Sequence, residues 1–60
     1  MITVERLTER RAAAIANIEA VESGAPIAPA WRSRQHCLNV NRLVVADCDA
    51  KLAAFAHASR

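Results

Sequence analysis

A single glycine, Gly24, followed by prolines at 26 and 29, divides the sixty residues into two stretches that share one kind of periodicity. Glycine suits the left-handed position just past a helix end, and proline cannot donate to a helix ladder, so this segment is a strong stop signal. Before it, at 100° per residue, Val4, Leu7, Ala14, Ile15, Ile18 and Val21 fall in one arc, with Glu5, Glu9, Ala13 and Ala20 opposite. A first helix is therefore expected over about residues 3–23. Thr3 is placed to cap it, its hydroxyl accepting from a free first-turn amide. Arg11 is the one charge inside the apolar arc, and its stem is expected along the core edge with the guanidinium in water.

Residues 24–30 read as a connection long enough to reverse the chain, with Ile27 plugging the open end of the helix pair. Beyond it Trp31, Leu38, Val45 and Leu52 recur every seven residues, and Arg34, Asn41, Cys48 and Phe55 each follow three positions later. This heptad seam predicts a second helix over about residues 31–58, with Leu38 and Leu52 in the core. Cys37 and Val44 widen the seam into a face able to meet more than one neighbouring helix. The β-branched Val40, Val44 and Val45, and the alternation Leu38-Asn39-Val40-Asn41, support a competing reading. That reading is a strand over residues 37–46 followed by a helix over about residues 47–59, capped by Asp47. A lone strand has no sheet, however, and would need the same strand from a second chain.

The expected fold is all-α, a two-helix antiparallel hairpin in a single small domain. Composition says why a hairpin alone is a thin solution. Alanine, the best helix former, accounts for fourteen of the hydrophobic residues and leaves sixteen large apolar side chains and two cysteines for a core. Ordering the chain costs on the order of 90 kcal/mol at roughly 1.5 kcal/mol per residue, a cost that chains this short often offset with a staple, a metal or a partner. Two cysteines are too few for a disulfide scaffold, so a cytoplasmic setting with reduced thiols is expected. On one helix Cys37 and Cys48 lie about 16 Å apart along the axis, far beyond disulfide reach, and read as small core hydrophobes. The hairpin is therefore expected to be completed by dimerisation into a four-helix bundle or by docking on a partner protein.

Residues that suggest chemistry do not assemble into a reaction centre. His36-Cys37, Asp47-Cys48-Asp49 and His57 are metal-ligand types, but neighbouring helical residues cannot easily converge on one ion, and no metal or cofactor is expected. One glycine cannot make a phosphate-cradling loop, no nucleophile-base-acid set has a reason to converge, and the chain is not expected to be an enzyme. No apolar run reaches membrane-spanning length. The window from Trp31 to Arg42 holds three arginines and a histidine without an acid. On the predicted second helix Arg32 and Arg42 lie together away from the seam, with Gln35 and Asn39, able to meet an acidic protein surface or phosphates. Val40 and Leu43 project nearby, beside His36. The expected partner-binding set is thus Arg32, His36, Val40, Arg42 and Leu43. It suits a small binding protein acting through its second helix: an inhibitor, adaptor or assembly factor of the kind a phage or mobile element encodes. A dimeric nucleic-acid-binding regulator placing Arg32 and Arg42 on phosphates is the alternative of a different class, and a structural subunit of a larger particle is a third.

Overall fold

The computed structural model describes residues 2–58 of the chain. Two helices, α1 over Val4–Glu22 and α2 over Arg34–Ala58, pack against each other as an antiparallel hairpin, and no strand occurs among the described residues. Each end of α1 is closed by the residue that its local chemistry requires. Thr3 is extended, at φ −118° and ψ 159°, and its Oγ1 accepts from the amide of Arg6 at 3.1 Å. At the other end Gly24 adopts φ +79°, the left-handed conformation that the absence of a Cβ permits. The amide of Ala25 then donates to the carbonyl of Ala20 at 2.9 Å and that of Gly24 to Val21 at 3.2 Å, the paired bonds of a Schellman motif.

The second helix begins at Arg34, three residues later than the heptad pattern places it, and the connection is correspondingly longer. Ser33 is the reason. Its hydroxyl accepts from the amide of His36 at 3.0 Å, while His36 Nδ1 accepts from the amide of Arg32 at 3.3 Å, so one side chain caps the helix and the other holds the residue before the cap. Trp31 donates its amide to Ala28 in a preceding turn, 3.2 Å away, and its ring meets that of His36 edge-on at 5.7 Å between centroids. The seven-residue recurrence thus includes Trp31 by spacing but not by conformation. Ile27 is half-buried in this connection. The strand alternative over residues 37–46 is not adopted, since all ten residues lie within α2.

The line along which the helices meet is made mostly of small side chains, with one leucine among them. Leu7 and Ala14 of α1 and Cys37 and Cys48 of α2 are the buried apolar residues among those described, and Asn41 is buried between the cysteines. Spaced at 37, 41 and 48, the buried stripe of α2 is turned away from the row of Leu38, Val45 and Leu52, which is only half-buried. Leu38 and Leu52 are therefore flanking residues, not core ones. Small residues at the contact let the helices approach closely, and the bulkier aliphatic side chains then lie along the sides.

Candidate functional site

Polar contacts between the helices define which side of each faces where. From the connection towards the chain ends, Arg34 reaches α1 at Ala20 and Val21, Asn17 meets Asn41, Arg11 meets Asp49, and Arg10 meets Asp47. Asp47 also pairs with Lys51 at 2.9 Å, on the same flank as Arg10 at 3.9 Å. Arg11 Nε donates to Asp49 Oδ1 at 2.6 Å on the opposite flank. The hairpin consequently has two unlike sides.

The five residues expected to bind a partner are split between these sides. His36, Val40 and Leu43 share one stripe of α2 with Asp47, and Leu43 is 71% exposed while His36 and Val40 are half-buried. Arg42 is exposed but lies at least about 100° around the helix from all three. Arg32 is not on α2 at all, because Ser33 starts the helix after it. The arginine stripe is therefore not formed as expected. Of the other cations, Arg10, Arg11 and Lys51 are held by Asp47 and Asp49, and Arg34 is held by the last carbonyls of α1. Among the described residues no group of three histidine, cysteine or acidic side chains converges for a metal. Cys37 and Cys48 are free thiols with no exposed surface.

The continuous apolar surface lies on the other flank. Leu38, Val45 and Leu52 of α2 lie on the flank of Asp49, and Ile15 and Ile18 lie on the side of α1 that carries its partner Arg11, all of them half-buried. Towards the chain ends the row continues into a hollow of about 350 Å³ lined by Val4, Leu52, Phe55 and Ala56. Val4 is 49% and Phe55 40% exposed there, so apolar surface stays in water. Arg42 and Asp49 border this row on α2, within about 40° of Leu38 on the helical wheel.

Two features escape a reading of the sequence. One is the Arg11–Asp49 pair at the edge of the apolar flank, in which the guanidinium expected in water stays 40% exposed but also holds a carboxylate. The other is the amide pair: Asn17 Nδ2 donates to Asn41 Oδ1 at 3.1 Å, and Asn41 Nδ2 donates to the carbonyl of Cys37 at 2.7 Å. An asparagine at a seam position was the available signal, since buried asparagines commonly fix the register of packed helices. Comparison with protein-family models, curated proteins and solved structures finds no significant match. No described helix is long and apolar enough to cross a membrane.

Proposed function

We propose that the chain is a small protein-binding module, an inhibitor, adaptor or assembly factor that acts by helix-mediated contact and not by catalysis. One observation carries the reading: a hairpin that buries four apolar side chains among the described residues leaves Leu38, Val45, Leu52, Ile15 and Ile18 half-exposed on one flank, ending on Val4 and Phe55. Contiguous apolar surface of this kind, bordered by charges, is the composition of a protein interface. The contact surface is accordingly moved from His36, Val40 and Leu43 to the opposite flank of α2. Phosphate binding has less support, because Arg6, Arg32 and Arg42, the arginines held by neither an acid nor a helix end among the described residues, are spread over both ends and one flank of the molecule.

The reading is tested by comparing what the tagged chain, Val45→Glu and Leu43→Glu recover from cells. Val45→Glu should lose the specific partner and Leu43→Glu should keep it. Equal recovery by both variants would refute this surface, and binding to nucleic acid that falls along a straight log-log line with salt would favour the regulator instead.

A further inference from the structure

Resting on the reading of this flank as a protein-binding surface, we infer that its occupant is a second copy of the same chain, with α2 lying antiparallel on α2 about a two-fold axis at Val45. The argument begins with area. The chain exposes 4476 Å², whereas a compact monomer of its 6.5 kDa exposes about 3,800 Å². The excess, roughly 650 Å², is close to the roughly 800 Å² per partner that a standard interface covers.

Self-complementarity then selects the occupant. Leu38, Arg42, Val45, Asp49, Leu52 and Ala56 share an arc of about 80° on α2. Leu38 and Leu52 stand seven residues to either side of Val45, while Arg42 stands three before it and Asp49 four after. An isologous interface must match one patch to itself, which requires such a pattern. Antiparallel about Val45, each Leu38 meets Leu52 of the second copy and each Arg42 meets Asp49. Parallel helices would instead set Arg42 beside Arg42 and Asp49 beside Asp49. Arg42 is exposed and has no ion pair among the described residues. Asp49 Oδ1 accepts from Arg11 Nε and the aspartate side chain stays 52% exposed, so it can accept a second guanidinium. Ile15 and Ile18 of α1 flank the same row and complete a four-helix bundle with their counterparts.

Three measurements on the full chain decide the matter. Sedimentation equilibrium across the micromolar range should show conversion to twice the chain mass and no larger species. Val45→Cys, placed on the axis, should form an intermolecular disulfide on mild oxidation, whereas Leu43→Cys on the opposite flank should not. Arg42→Glu should raise the dimer dissociation constant about tenfold with unchanged helicity, since two symmetry-related pairs are lost. A helical monomer at every concentration would overturn the inference. So would a dimer in which Leu43→Cys cross-links and Val45→Cys does not. If such a helical monomer still binds a partner that Val45→Glu abolishes, the protein-binding reading stands and only the second copy as occupant is wrong.

Discussion

Arg34 joins the two helices through one nitrogen, Nη2, which donates to the carbonyls of Ala20 at 3.1 Å and Val21 at 3.0 Å. Those carbonyls carry the negative end of the α1 dipole, and α1 has no basic residue of its own in its last turn. Arg34 follows Trp31 by three positions in the seven-residue pattern, and the structure sets it against the last turn of α1. Arg34→Gln is expected to lower stability by about 1 kcal/mol, the effect of a cation at an exposed helix end, with Arg34→Lys recovering part of it. Urea denaturation of the variants under matched conditions measures this, and an unchanged midpoint for Arg34→Gln would mean that water replaces the guanidinium without loss. Asn41 works differently, since it is buried at 4% exposure and its amide is satisfied from both sides. Its hydrogen bonds repay a desolvation cost and specify one alignment of the helices more than they add stability.

At the scale of the element, α2 is helical despite its three valines because helix propensity differences amount to less than about 0.7 kcal/mol per residue, and an isolated strand leaves a full row of backbone groups unpaired. Its rotation about its own axis has the larger consequence. Turned so that Cys37, Asn41 and Cys48 face α1, the helix leaves Leu38 and Leu52 half-buried. A fully buried leucine costs about 2–5 kcal/mol when cut to alanine. Leu38→Ala and Leu52→Ala are therefore expected to cost less than that range in dilute protein and to approach it at concentrations where the flank is covered. Denaturation series at two protein concentrations check this, and a full core cost at both would put these residues back in the monomer core.

The whole molecule is a rod. Its extents are 42 × 18 × 15 Å and its radius of gyration is 13.2 Å, against about 10.4 Å for a compact domain of sixty residues. Two helices side by side have no third layer to close over their flanks, so elongation and exposed apolar surface are one fact. Stability should then depend on assembly. The melting temperature is expected to rise with protein concentration, because a species that binds only the folded chain stabilises it by mass action. A melting temperature that stays constant across the micromolar range would show that the hairpin stands alone.

Much of this architecture follows from local chemistry that the sequence carries openly. The 3.6-residue pattern, the alanine content, the Thr3 cap and the Gly24 stop are properties of neighbouring residues, and they determine two helices and a reversal between them. The start of α2 was legible in Ser33 too, but the seven-residue recurrence of Trp31 masked it. What only the tertiary structure decided is which stripe of each helix faces the other. A periodicity specifies that an apolar arc exists and leaves its rotation open by tens of degrees, and the fit of small side chains across the contact settles that rotation. From this rotation follow the burial of Asn41 and Cys48 and the pairing of Arg11 with Asp49, whereas the separation of Arg42 from His36, Val40 and Leu43 is fixed by their spacing along α2 alone. The row centred on Val45 is left half-exposed for the same reason: with Cys37, Asn41 and Cys48 turned towards α1, Leu38, Val45 and Leu52 fall to one side of the contact.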